Sequence, residues 1–596
     1  MLQASKYLLK FSFIRPILTN YRKMSAMPLV YVRHIDQDNT LKITFFYGDS
    51  EIPDRNFTFM RPKEEKLESA LMRIKNKIHG HVLQKLTKKK KKKNIDAEDV
   101  QVSPINITLT KDGEILKEEL KNTDAWISGV QVKINDIVYE ISENAPEVTH
   151  LSLPKCIMSG FLVYPKVSLE FCSVDDSIFR WYRLTTKVER DVSLEPADKS
   201  KGEFWVKLAD GFFYAVKDSD VGYKLRISCI PKKEDKVGIK IETIAQNAVS
   251  AGPGKCPFED RFQHTNSVTR SGRLRCVSYN ILADLYADSD TARNDLFPYC
   301  PEEALALDYR KQLYIKELTG YNGDLICLQE VDRKVFHDDL CPVTEPHGLK
   351  GVLDLKGGQV AEGLACFYRT NKFKVLDNSS IILSEAVKTV PVLQSLHSKI
   401  LENEKFAARF FSRTTSLQMV LLESLEVPGR RLLVGNTHLY FHPESDNIRL
   451  MQAACCVSYL EHMRHKYQKQ DYSSSVSVVL MGDFNSCPEF GVYELMTKGS
   501  LSEECADWKS NPEEVVTGPE LSHTLLLASA CGTPTYTNYT EGFVGCLDYI
   551  FYDKTCLSLC EVVPFPTHAQ VTEHKALPSI VFPSDHLALV CTLAWK

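Results

Sequence analysis

The chain has 596 residues, enough for two to four domains. Hydrophobic residues make up 43% and charged residues 25%, and the formal net charge is −4. The whole molecule is therefore no electrostatic polyanion binder, and any RNA contact must come from a local basic patch or a metal ion. No apolar run approaches the length of a membrane-spanning helix, and no protein partner is predicted. The 18 cysteines are scattered without a Cys-x-x-Cys pair, which reads as core thiols in a reducing compartment rather than a disulfide framework.

Residues 1–35 contain no Asp or Glu, yet carry Lys6, Lys10, Arg15, Arg22, Lys23 and Arg33 among Leu, Ile, Phe and Tyr. A basic, amphipathic, acid-free start is the composition of a mitochondrial transit peptide. Residues 36–255 read as a β-rich accessory region. It opens with short strand-like runs and one helical stretch, Glu64 to Ile78. The six consecutive lysines Lys88 to Lys93 predict a solvated, flexible loop over 86–96, with a salt-dependent RNA-attracting arm as the alternative. From 100 to 255, alternating runs such as Val167–Phe171 and Tyr223–Cys229 and aromatic runs such as Phe179–Arg183 predict a small antiparallel sandwich. Ala251-Gly252-Pro253-Gly254 leads into a linker over 256–269.

Residues 270–596 hold the chemistry. Helical spacing predicts helices over Pro301–Thr319 and Asp446–His465, while 385–413 reads as irregular chain beside the site. Apolar runs of strand length each carry a polar group at one end. Leu274–Tyr279 ends in Asn280, and Asp324–Gln329 ends in Glu330. Leu432–Gly435 leads into Asn436-Thr437-His438, and Val476–Met481 into Gly482-Asp483-Phe484-Asn485. Asp548 opens Tyr549–Tyr552, and Ser584-Asp585-His586 opens Leu587–Cys591. Any one of these is more often a turn former or cap. Six together predict a polar crater over a packed β core. Asp483 and Asn485 sit two residues apart, so on extended backbone their side chains point the same way. Carboxylates and carboxamides are hard ligands, which favours Mg²⁺ or Mn²⁺ over Zn²⁺. The Cys556/Cys560 pair lies across strand-like residues and is spaced too widely to share a metal.

In that order these motifs resemble the endonuclease/exonuclease/phosphatase superfamily, over all of 270–596. Ser278–Ala283 and Tyr536-Thr537-Asn538-Tyr539 are similar to its deadenylase-like branch. The resemblance implies an α/β fold, a four-layer sandwich of two packed mixed sheets with outer helices, preceded by the β-rich N-terminal domain. It implies a Mg²⁺-dependent 3′-exoribonuclease that releases AMP, with one or two metal ions and Mn²⁺ as a substitute. Its substrates would be 2′,5′-oligoadenylate and the poly(A) of mitochondrial mRNA, in the mitochondrial matrix. Glu330 matches the family's metal-binding glutamate, and Asn280 would support the metal shell or a phosphate oxygen. Asp483 would orient the attacking water or touch a second metal. Asn485 would hold a phosphate oxygen or help bind metal, and Asp585 would ligate metal directly or through water. His586 and His438 would face the phosphate from two sides, with either Asp548 or Asp585 fixing an imidazole tautomer. Pro443 and Phe543 match positions that hold a base. Arg369 reads as structural or a remote phosphate contact. Another phosphoesterase on this scaffold, such as a nucleotide-cofactor phosphatase or a nuclease, is the alternative, and a catalytically silent RNA-binding protein fits less well.

Overall fold

The computed structural model describes residues 28–48, 55–91, 104–186, 194–198, 202–357 and 360–596. Most of the basic N-terminus, and Lys92 and Lys93, therefore lie outside the described residues. The chain divides into two compact units.

The first unit comprises Met1–His150, Val167–Phe179 and Ser228–Ile241. Its seven-stranded sheet runs in the order Arg55–Pro62, Thr40–Tyr47, Leu29–Arg33, Ile137–Glu143, Val130–Ile134, Ile107–Lys111, Glu114–Ile115. Leu29–Arg33 pairs in parallel with Ile137–Glu143, so the sheet is mixed. The helix Leu67–Lys91 lays Leu67, Leu71, Ile74, Ile78 and Val82 against Val30, Ile43 and Phe45, the i, i+4, i+7 stripe of an amphipathic helix. Two expectations are corrected. The β structure is not confined to 100–255: a helix-backed mixed sheet draws strands from both sides of residue 100, in addition to the expected antiparallel strands, of which Leu194–Asp198, Glu203–Asp210 and Ile178–Thr185 pair in that order. The lysine run begins in helical backbone, because helix propensity of Lys carries the last turns through Lys91.

The second unit holds Leu151–Lys166, Arg180–Ile227 and Glu242–Lys596. It contains two six-stranded mixed sheets. One has the order Leu349–Leu355, Glu362–Arg369, Leu325–Asp332, Arg273–Asn280, Leu589–Trp595, Leu557–Val562. The other has the order Phe373–Ile382, Ser416–Ser424, Arg430–His438, Ser475–Asp483, Asp548–Asp553, Leu527–Ser529. Strand periodicity explains the layering. Cys276, Cys327, Cys366, Val434, Met481, Ile550 and Cys591 meet in the core between the sheets. Their neighbours Val277, Ile326 and Phe367 face helix Leu307–Gly320, while Leu433, Leu480 and Phe551 face helix Asp446–Gln470. Both faces of the central strands Arg273–Asn280, Leu325–Asp332, Arg430–His438 and Ser475–Asp483 are buried, which is why these runs are continuously apolar, whereas the edge strand Phe373–Ile382 is largely exposed. The result is the four-layer α/β sandwich.

Details differ from expectation. The helix predicted from Pro301 breaks at Ala306 into Glu302–Leu305 and Leu307–Gly320. The stretch 385–413 forms helices Leu383–Thr389, Gln394–Ile400 and Glu404–Phe411, with Val387, Leu396, Phe406 and Phe410 buried in the core of the second sheet. The linker stretch carries the 3₁₀ helix Pro257–His264, whose Phe258 is fully buried. Upstream residues also join this unit: Tyr164 donates to Asp339 at 2.9 Å, and the Met158 N–H to Gln312 at 3.1 Å. All 18 cysteines are unbridged. No helix among the described residues is long and apolar enough to cross a membrane.

Candidate active site

Strands Arg273–Asn280, Leu325–Asp332, Arg430–His438 and Ser475–Asp483 run in one direction and end together. Asp548–Asp553 runs antiparallel and starts there, with Asp483 paired to Asp548 and His438 to Asp483 in register. Positions that face the inter-sheet core stay apolar until the last turn of the pleat, then become polar. Val434 gives way to Asn436 and His438, Met481 to Asp483, and Ile550 to Asp548. The crater is the mouth of the inter-sheet layer.

Glu330 breaks this alternation. The pairing of its strand slips between Leu328 and Val331, and Glu330 takes φ of 57°. A bulge inserts one residue and re-aims its side chain, which carries Glu330 into the crater. Left-handed backbone costs a bulky residue of order 1–3 kcal/mol and recurs where function requires it. The carboxylate is held by Asn280 Nδ2 at 2.9 Å and the Ala283 N–H at 2.9 Å. Asn280 also donates to Asp483 Oδ2 at 3.1 Å, and so joins the two sheets. Asp483 Oδ1 accepts from the Asn485 N–H at 2.9 Å, while Asn485 Nδ2 donates to the Leu439 carbonyl at 3.0 Å.

His586 is buried, with Nδ1 2.7 Å from Asp548 Oδ2. Its Nε2 faces Asp483 Oδ2 at 3.6 Å and Asp585 Oδ2 at 4.0 Å. Asp548, not Asp585, therefore orients the imidazole. Asp548 is itself fixed by the Thr537 hydroxyl at 2.6 Å, and Asp585 by Asn538 Nδ2 at 3.1 Å. On the other side His438 Nε2 lies 3.5 Å from Asp483 Oδ2.

The electrostatics follow from this crowding. Burial, then Asp548, pushes Asp483 up from 3.8 to about 7. Burial, then Asp585 and Glu362, raises Glu330. Burial opposes a charge on His586, but Asp548, Asp483 and Asp585 together outweigh it and raise its pKa well above 6.5. Burial and the Lys356 ammonium hold His438 well below 6.5, hence neutral. Asp483, Asp548 and His586 bring ligand atoms within 4.8 Å of one another. The 2.7 Å hydrogen bond already occupies two of them. The oxygens of Glu330, Asp585 and Asp483 are the better hard-cation donors; Asp585 raises the Glu330 pKa, and Asp483 and Asp585 help raise that of His586. That excess of carboxylate fits a divalent metal ion.

Of the remaining expected residues, Phe543 and Pro443 lie on exposed chain and Arg369 lies away from the crater. Phe543 is 43% exposed, on the hairpin that carries Asn538. Pro443 is exposed, with its carbonyl held by Arg449 at 3.0 Å. Arg369 is structural, donating to buried Asp324 at 2.6 Å, remote from the crater end of its strand. Sequence reasoning missed Lys356, which bonds Glu362 at 2.6 Å and stands 3.3 Å from His438 Nδ1. It also missed buried Arg310, which donates to the carbonyls of Ile281, Leu282 and Pro583 and pins two site loops. Thr537 and Asn538 were visible only as part of a motif.

Two family models match: "2′,5′-phosphodiesterase 12-like, N-terminal domain" over residues 145–250, and "Endonuclease/Exonuclease/phosphatase family" over 456–586. The rat protein 2′,5′-phosphodiesterase 12 is 39% identical across 97% of this chain and 96% of its own length. The human protein of that name is 39% identical across 96% of this chain and 95% of its own. The chain belongs to the 2′,5′-phosphodiesterase 12 family. It is accordingly a hydrolase, a phosphodiesterase of the exonuclease kind. The Ccr4 exoribonuclease subunit of Mycosarcoma maydis is more distant, 26% identical over 56% of this chain and 52% of its own. In this member of the 2′,5′-phosphodiesterase 12 family, the stretch matching the catalytic model holds Asp483, Asn485, Asp548, Asp585 and His586. Glu330 and Asn280 come from strands upstream of it.

Proposed function

We propose that the chain removes adenylates one at a time from 2′,5′-oligoadenylate and from the poly(A) of mitochondrial mRNA, releasing AMP in the mitochondrial matrix. The observation that carries the reading is the buried Asp548–His586 pair facing Asp483, at 2.7 and 3.6 Å, beside the bulged Glu330. Hydrolysis of a diester requires an activated water, a neutralised phosphate and a stabilised leaving oxygen. Asp483, 3.6 Å from His586 Nε2, is placed to accept the proton of the attacking water. His586, oriented and kept protonated by Asp548, presents Nε2–H to the charge that develops on the phosphate. Neutral His438 receives a hydrogen bond at Nδ1 from Lys356, which leaves its Nε2–H free to donate from the opposite side. Asn485 holds a phosphate oxygen, while Asn280, whose two amide hydrogens bond Glu330 and Asp483, positions those carboxylates. Glu330 and Asp585, with Asp483 and Asn485 nearby, would hold Mg²⁺, whose chemistry is to neutralise the phosphate; one or two ions fit the donor set. Phe543 and Pro443 flank the site as base contacts. The names of the relatives support the linkage, the likeness of Ser278–Ala283 and Tyr536–Tyr539 to the deadenylase-like branch supports adenylate, and the basic, acid-free residues ahead of strand Leu29–Arg33 support the matrix location.

The test incubates the full chain with 2′,5′-linked triadenylate and Mg²⁺, with and without EDTA, beside Glu330→Ala. Stepwise AMP release that stops with EDTA and in the variant is expected. An inert triadenylate beside rapid hydrolysis of nucleotide cofactors or abasic DNA would favour another phosphoesterase.

A further inference from the structure

The segment leaving the site after His438 carries an aromatic ring that the fold holds in water. Phe441 is 71% exposed. Tyr472 is more exposed still, but it precedes Ser475, at the opposite end of the strand from Asp483. The backbone around Phe441 is fixed on both sides. Toward the site, the Leu439 N–H donates to the Asp483 carbonyl at 2.9 Å, and its own carbonyl accepts from Asn485 at 3.0 Å. Away from it, the buried Arg449 guanidinium binds the carbonyls of Tyr440, His442 and Pro443 at 3.1, 2.5 and 3.0 Å. A segment so anchored cannot fold inward to bury its ring, so a large apolar face is kept accessible beside the reacting centre.

A cation accompanies it. The Phe441 ring packs edge-on against Tyr440, centroids 5.4 Å apart, and Arg413 lies over Tyr440 at 4.6 Å. The N–H groups of Arg413 reach only the Arg409 carbonyl and the Ser412 hydroxyl, and no carboxylate pairs with it among the described residues. Its neighbour Arg409 is neutralised by Glu514. A rigid exposed ring with an uncompensated guanidinium beside it is the chemistry that takes unpaired bases and their phosphates.

We propose that Phe441 and Arg413 form a second nucleotide subsite, in which Phe441 stacks a base of the oligonucleotide beyond the scissile dinucleotide and Arg413 holds its phosphate. The subsite rests on the adenylate-exonuclease reading. It makes the enzyme favour longer single strands over dimers, because only the former reach both places.

The experiment compares kcat/KM for 2′,5′-linked diadenylate, pentaadenylate and the base-free diester bis(p-nitrophenyl) phosphate. It uses wild type, Phe441→Ala, Phe441→Trp and Arg413→Gln. Phe441→Ala should lose about tenfold on the pentamer, the scale of one stacked base, and stay within about twofold of wild type on the other two substrates. Phe441→Trp should keep the pentamer rate. Arg413→Gln should weaken pentamer KM and flatten its log–log salt dependence by about 0.7, the slope of one phosphate contact on a single strand. Equal losses on dimer and pentamer, or a full pentamer rate in Phe441→Ala, would overturn the subsite alone. A wild type inert on both adenylates yet active on the base-free diester would overturn the adenylate reading and the subsite with it.

Discussion

Asp483 shows how the site is built at the expense of stability. Burial and Asp548 raise it from 3.8 to about 7, so between those values the folded state holds a proton that the unfolded state has released. Stability of the metal-free protein therefore falls as pH rises through that window. Asp483→Asn removes the loss: thermal melts in EDTA should show the variant more stable than wild type above pH 7, by about 1–3 kcal/mol, and no more stable near pH 4. The same variant should lose about 10²–10⁴-fold in kcat, since it cannot take the water's proton. The residue identities here were readable from sequence: Asp483, Asn485, Asp548, His586 and Glu330 all stand at strand ends. Their partnerships were not. Either Asp548 or Asp585 could have oriented an imidazole, and only the 2.7 Å bond decides for Asp548. Lys356 lies beside a hairpin turn with no pattern to mark it, and becomes relevant only because Glu362 and His438 come to meet it.

At the scale of elements, the strand pair Arg430–His438 and Ser475–Asp483 sets the spacing of the crater. A Cβ at Gly482 would stand 2.1 Å from the Thr437 carbonyl oxygen, backbone that cannot step aside. Gly482→Ala should cost about 1–3 kcal/mol and depress kcat by displacing Asp483. Gly542→Ala, with nothing within 4 Å of its Cβ, should stay within about 0.5 kcal/mol of wild type; urea unfolding beside rate measurements distinguishes the two. Thr537→Val tests the segment that supports the Asp548–His586 pair. It removes the hydroxyl bonded to Asp548 at 2.6 Å, and should lower kcat with about 1–2 kcal/mol of lost stability.

For the whole molecule, the carboxylates crowded around Glu330 mean that a bound cation should stabilise the fold. Mg²⁺ at 100 times its Kd should add about 2.7 kcal/mol, read as a rise in Tm that EDTA reverses. Glu330→Gln should lose most of that rise, and its Tm in EDTA should match or exceed that of wild type, because the amide removes a buried charge that burial and Asp585 disfavour. A Tm indifferent to Mg²⁺ in the wild type would argue against a metal in the crater.

What the sequence determined is local in origin. Continuous apolar runs about four to six residues long predict buried strands, and the order of their polar ends identifies the catalytic sandwich. What only the tertiary structure decided is non-local. The bulge that turns Glu330 inward depends on a partner strand about thirty residues downstream. Asn280 joins Glu330 to Asp483 across two sheets. The N-terminal sheet takes Leu29–Arg33 and Ile137–Glu143 as neighbours despite the sequence between them. Periodicity along a chain reports which face of a segment is buried. It carries no information on which distant segment does the burying, and that choice is made by packing of the whole core.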